Sequence, residues 1–173
     1  MPINENSTSL PPILLAAIKK VYDPLGYQIK NYHQQAESTA YCAATFEINQ
    51  LQVNYREAKI TPTKTGQFVS IWKRNEEGIT APFDALDDFD LFIISVEKED
   101  LRGQFIFPKA ALILQKIVSH NQTTGKRGIR VYPPWDMVTN KQAAKTQEWQ
   151  NKYFLFISDQ STAVSLTTKL LSP

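Results

Sequence analysis

Two alternating runs that meet at Asn49-Gln50 constrain this chain more than any other feature. Tyr41 to Ile48 and Leu51 to Ile60 both read apolar–polar with period two, and a two-residue loop between them is the common hairpin connection. That loop length fixes the register: Ile48 faces Leu51, Phe46 faces Val53, Ala44 faces Tyr55 and Cys42 faces Glu57. A slip of one residue would turn every one of these side chains to the opposite face, so the core side is decided. It is apolar until Glu57 and Lys59, while Arg56 points the other way. Charges on a core face are costly unless paired or set at an open rim, and local rules tend to fail at functional sites.

Around this hairpin the remaining chain alternates in type. Pro11 and Pro12 suit the first turn of a helix whose apolar face is Leu14, Leu15, Ile18, Val21 and Tyr22, stopped by Asp23-Pro24. Residues 26–32 and 67–74 read as strands, separated from the hairpin by polar connections such as TPTKTG at 61–66. Leu91 to Val96 is apolar on both faces, which fits a central strand covered on both sides, and a charged turn joins it to Gln104–Phe107. Helices are expected over 109–117 and about 140–153, the latter opened by a capping box from Thr139 to Gln142, with a short strand at 129–132. The order gives one α+β domain over 10–157, with a mainly antiparallel sheet of five to seven strands and about three helices. Residues 1–9 are expected to be flexible, and 158–173 a fraying tail.

Several function classes drop out. Cys42 is alone, so there is no disulfide or cysteine–zinc cluster, and His33 and His120 cannot build a histidine-rich metal centre. No apolar run approaches the roughly 18 residues of a membrane span. The N-terminus lacks a basic-then-apolar signal pattern, so a cytoplasmic protein with no membrane association is expected. No GxxxxGK[ST] loop or GxSxG elbow occurs.

The net charge of +2 conceals segregation. Residues 56–75 carry five bases and one acid, 76–100 nine acids and one base, and 101–173 ten bases and three acids. Should the basic blocks meet in space, they form a cationic surface suited to phosphate; should they meet the acidic block, they neutralise it. Candidate ligand-binding residues are Arg56, Lys59, Lys64, Lys73, Arg74, Lys109, Lys126, Arg127 and Arg130, with Trp72 and Trp135 as flat faces for bases. The combination suits a nucleotide or nucleic acid and calls for no cofactor. A second reading makes Glu57 and Lys59 the acid and lysine of a magnesium-dependent phosphodiesterase or nuclease. Glu47 cannot be the partner acid, since it falls opposite Gln52 on the other face; Asp84, Asp87, Asp88 or Asp90 would have to serve. A third is a non-enzymatic adaptor that uses its charge blocks to hold another protein.

At these residues the chain resembles the MepB family of bacterial proteins. The likeness runs through YREAKITPTKTGQFVSIWKR at 55–74, PFD at 82–84, GQFIFPK at 103–109, GKRGIRVYPPWD at 125–136 and KTQEWQNKYF at 145–154. It implies that these segments share one domain and that the setting is the bacterial cytosol. It carries over no catalytic residue.

Overall fold

The computed structural model describes residues 10–158 and 160–173, with the side chains of 160–162 left aside; the flexible segment expected at 1–9 lies outside the described residues. The hairpin forms in the expected register from Ala44 on, whereas Tyr41 ends a 3-10 turn and Cys42, at φ 50°, stands before the ladder rather than paired with Glu57 in it. Strand β2 (Ala44–Ile48) pairs antiparallel with β3 (Leu51–Glu57), with Ile48 against Leu51, Phe46 against Val53 and Ala44 against Tyr55. Asn49 and Gln50 both take positive φ, 49° and 68°, as the tight turn that matches strand twist requires. Strand β1 (Ile29–Gln34) adds to the outer edge of β2, with an irregularity between Lys30 and His33 where Asn31 also turns to positive φ.

On its other side β3 changes partner. The chain from Leu51 to Ile60 does not stay in one sheet: β3 ends at Glu57, and Lys59–Ile60 form β4 in a second sheet. That sheet has three antiparallel strands, with β4 beside β5 (Gln67–Ser70) and β5 beside a later strand at Gly128–Val131. A small pair follows, β6 (Trp72–Arg74) with β7 (Thr80–Pro82). The chain then returns as β8 (Leu91–Lys98), parallel to β3 from Val53–Leu91 to Glu57–Ser95. Parallel neighbours need a long crossover; here it contains β4 to β7 in place of the usual helix. Strand β9 (Leu101–Pro108) closes a hairpin on β8.

After helix α2 (Lys109–Leu114), strand β10 (Gly128–Val131) and helix α3 (Lys141–Asn151), strand β11 (Phe154–Phe156) completes the main sheet in the order β1-β2-β3-β8-β9-β11. β8 is central, and Leu91 to Val96 are all buried, as the two-sided apolar run requires. Helix α3 is capped by Asn140, whose Oδ1 accepts from Ala143 N at 2.8 Å, and not by the expected Thr139–Gln142 box. A side chain one residue closer to the first turn reaches the same class of free N–H.

Each face of the main sheet has its own core. One is covered by helix α1 (Pro12–Ala17) and the π-helical turn Ile18–Tyr22, with Leu14, Ala17, Val21 and Tyr22 fully buried against Phe46, Tyr55 and Ile93. The other lies under the small sheets and α2, where Val69, Ile129 and Leu112 meet Phe92, Phe105 and Phe107. The arrangement is a single α+β domain. Among the described residues no helix is long and apolar enough to cross a membrane.

The C-terminal residues do not fray. Gln160–Leu170 form helix α4, and Ala163, Leu170 and Leu171 join the first core. Asn49 Nδ2 of the hairpin turn donates to Leu171 O at 2.5 Å, tying the end of the chain to the hairpin turn. Leu171→Ala is therefore expected to cost about 2–5 kcal/mol, as truncation of a fully buried leucine does. Denaturant melts of the full chain check this, and an unchanged midpoint would show that the terminus is not part of the core.

Candidate functional site

The change of sheets at Ala58 creates the site. Ala58 N still donates to Ser95 O at 3.0 Å, but the next residue already pairs with β5. In the three-stranded sheet Lys59 lies directly opposite Phe68, and Phe68 directly opposite Arg130. Directly paired residues share a face, so the row reads cation–ring–cation, with the Cα positions of its two ends about 10 Å apart at ordinary strand spacing. Tyr41 extends it: its ring meets Phe68 edge-on at 6.1 Å, and Lys59 Nζ lies 5.5 Å from its centroid. Gly128 leaves room for the Phe68 ring, which a Cβ there would strike at 2.5 Å.

The loop 61–66 is pinned to this row. Arg130 donates to Thr61 Oγ1 at 2.7 Å and to the carbonyls of Thr65 and Gly66 at 3.3 and 3.4 Å. Gly66, at φ 83°, sits where a Cβ would lie 2.7 Å from the Tyr132 ring. Arg130 is thus a positioning residue that holds the loop carrying exposed Lys64, which follows the strand of exposed Lys59. Tyr41 and Phe68 were not among the candidates from sequence. Reading 61–66 as a hairpin loop would have placed Phe68 against Lys59.

Arg56 requires a correction. Expected on the floor of an open site, it is only 1% exposed and lies on the face opposite Glu57, between the main and small sheets. Its Nη1 donates to Tyr55 O at 2.8 Å, its guanidinium stands 5.4 Å from the Phe92 centroid, and its Nε has no partner. Burial pushes its pKa down to about 10, which leaves it charged at neutral pH. It makes no ion pair among the described residues.

The remaining candidates do not converge on one pocket. Most hold the acidic loop. Lys73 pairs with Asp87 at 2.5 Å, and Arg74 with Glu37 at 2.6 Å while donating to Gly78 O and covering Trp72. Arg127 donates to Thr80 O, and Lys109 to the carbonyls of Ala85 and Asp87 beside the Phe89 ring. Trp135 packs against Phe154 and Phe156, three strands from β3, so it is no platform beside Lys59. Lys126 is exposed at a separate cleft between β10 and α3.

Glu57 ends a buried polar chain. Gln104 Nε2 donates to Ser95 Oγ at 3.0 Å, Ser95 Oγ lies 2.6 Å from Tyr55 Oη, and Tyr55 Oη reaches Glu57 Oε2 at 3.4 Å; Tyr22 Oη donates to Gln104 from the helical side. Burial raises the Glu57 carboxyl above its ordinary range, although Cys42 and Tyr55 hydrogen bonds act the other way. Burial, then Glu57, push the Cys42 thiol up to about 11.

The nuclease arrangement with the loop aspartates is not formed. Asp90 Oδ2 accepts from Gln52 N, and Leu91 pairs with Val53, whereas Glu57 pairs with Ser95. Asp90 therefore lies at the other end of β3 from Glu57, about 13 Å or more along the strand. Asp87 is engaged by Lys73 and by Asp84 N. Among the described residues no three His, Cys, Asp or Glu side chains cluster as metal ligands.

A family model described as MepB-like matches residues 35–156. A solved structure titled as the crystal structure of MepB is 36% identical, covering 76% of this chain and 88% of its own, with a TM-score of 0.73. A bacterial homing endonuclease structure is 15% identical, with 88% and 93% covered and a TM-score of 0.46. The search of curated proteins gives no match.

Two outcomes follow from the buried charges. Since the folded Glu57 carboxyl holds its proton more tightly than the unfolded one, stability is lost as pH rises from the ordinary carboxylate value through the raised one. Glu57→Gln should melt higher than wild type at pH 7 and match it at acid pH; it should also speed alkylation of Cys42, whose thiolate at pH 8 is about two orders of magnitude scarcer than that of a free thiol. A melting difference that does not change with pH would refute the assignment. Arg56→Met, which leaves no carboxylate orphaned, should be neutral or stabilising by about 1–4 kcal/mol in chemical denaturation; a large loss would show that an unseen counter-charge holds the guanidinium.

Proposed function

The chain belongs to the MepB-like family, and from the geometry of its three-stranded sheet we propose that it is a phosphate-recognising protein that binds single-stranded nucleic acid across that sheet. The row Lys59–Phe68–Arg130, extended by Tyr41, carries the reading. Binders of this kind combine cations that follow the backbone with rings on which bases stack, each stack worth about 1–3 kcal/mol. Lys59 and Lys64 are exposed and make no ion pair among the described residues, so their charge is available to phosphates. Arg130 and Gly66 hold the loop that carries Lys64. Lys73, Arg74, Lys109 and Arg127, occupied by the acidic loop, contribute to the fold of the region and not to the contact. The setting that goes with this reading is the cytosol.

Fluorescence anisotropy with a labelled single-stranded oligonucleotide tests it. Binding should weaken with salt, and Lys59→Ala and Lys64→Ala should each lower affinity and reduce the log–log salt slope by about 0.7. Tyr41→Ala should cost about 1–3 kcal/mol without much change in slope. Lys30→Ala, on the far edge strand β1, should change nothing. Absence of binding at low ionic strength, or lysine variants that bind as wild type does, would end the proposal.

A further inference from the structure

The cleft between β10 and α3 holds about 340 Å³, at the lower end of the size range of small-molecule pockets. Its position follows from how the edge of the three-stranded sheet is covered. β10 is the outer strand there, and its free edge is closed by one side chain of α3: Gln150 Nε2 donates to Arg130 O at 2.9 Å, and Gln150 Oε1 accepts from Tyr132 N at 2.8 Å. Gln150, 1% exposed, thus takes the place of a neighbouring strand, and the helix stands off far enough to leave a gap beside it.

The gap's chemistry is one-sided. Two cations, Lys126 and Arg130, line it, and no aspartate or glutamate does. Arg130 spends its guanidinium on the 61–66 loop, whereas Lys126 makes no ion pair among the described residues. Gln115, Gln142 and Thr146 bring hydrogen-bonding side chains to it. Trp149, supported on its inner side by Phe107 at 5.2 Å, forms the aromatic wall. One free cation, amides that both donate and accept, and a braced indole describe a ligand with one anionic group and a planar polar body.

We propose that this cleft is a binding site for a nucleoside 5′-monophosphate, with the phosphate at Lys126, the base against Trp149 and its polar edge read by Gln142. The cleft and the single-strand face share Arg130, whose guanidinium is held by the 61–66 loop, but Lys126 and Gln142 lie outside the Lys59–Phe68–Arg130 row, and neither Lys59 nor Lys64 lines the cleft. An acid-free lining favours the anion without a repelling partner.

Calorimetric titration of the full chain with the four ribonucleoside 5′-monophosphates, adenosine, ribose 5-phosphate and inorganic phosphate tests this. At least one nucleotide should bind, with its separate parts at least tenfold weaker. Lys126→Ala should weaken nucleotide binding about tenfold and leave adenosine unchanged, Gln142→Ala should alter the preference among bases, and circular dichroism should show both variants folded. Lys59→Ala with Lys64→Ala should not change nucleotide binding, even though it removes oligonucleotide binding if the sheet face is used. The proposal fails if no nucleotide binds at low ionic strength, if ribose 5-phosphate binds as tightly as the nucleotides, or if the Lys59 and Lys64 changes rather than Lys126→Ala abolish the titration. Oligonucleotide binding without nucleotide binding would likewise defeat it while sparing the sheet face.

Discussion

The segment Leu51–Ile60 serves two sheets, and the rest of the molecule is arranged around that division. Up to Glu57 it lies between β2 and β8, and its alternation fills one core and faces the other. Beyond Ala58 it has left the main sheet, so its side chains no longer have a second layer over them, and charge becomes tolerable. The switch from Tyr55 to Glu57 and Lys59 marks this exit. Because β3 and β8 are parallel, the intervening chain must cross from one end of the sheet to the other. It uses that length to build the small sheets, which cover the second core with Val69 and Ile71 and present Phe68 outward beside Lys59 and Arg130.

What could be read in advance was local. A two-residue turn fixes the register of its own hairpin, so the pairing from Ile48–Leu51 to Ala44–Tyr55 follows from spacing alone. Parallel pairing depends on contacts about forty residues apart and leaves no such local mark, and with it went the position of the loop aspartates relative to Glu57. The tail misled for a different reason. Ala163, Thr167, Leu170 and Leu171 have helical spacing, but the threonine breaks the apolar pattern; in the fold it is buried, 1% exposed, because its Oγ1 donates to Ala163 O at 2.7 Å. A threonine satisfied within its own helix can stand in a core, and composition does not distinguish it from one turned to water.

The charge blocks were legible as blocks, but not in how they are spent. Lysines and arginines at 73, 74, 109 and 127 are held by carboxylates or carbonyls of Glu37 and the chain from Gly78 to Asp87. That loop has few apolar anchors besides Phe83 and Phe89, so it is fixed largely through its polar groups, and neighbouring bases supply the donors. A count of bases thus overstates the cationic surface. The bases without carboxylate partners beside the sheet are fewer and differently placed.

Arg56 and Lys59 show how finely the outcome depends on position. Three residues apart on one run of chain, they lie on either side of the point where it leaves the main sheet. Arg56 is still within it, so its guanidinium is enclosed between layers and meets a backbone carbonyl and a phenyl ring. Lys59 is just outside, and its ammonium rests at a tyrosine ring with solvent beyond. Screening acts on charges that solvent and its ions can reach and has little hold on buried ones. Of the two, only Lys59 can exchange its counter-ions for a phosphate, whereas Arg56 acts through the packing and electrostatics of the layer beneath. Two cations of one motif therefore end in different surroundings, Arg56 enclosed in the architecture and Lys59 open to solvent, and the boundary between them is the single bond from Ala58 N to Ser95 O.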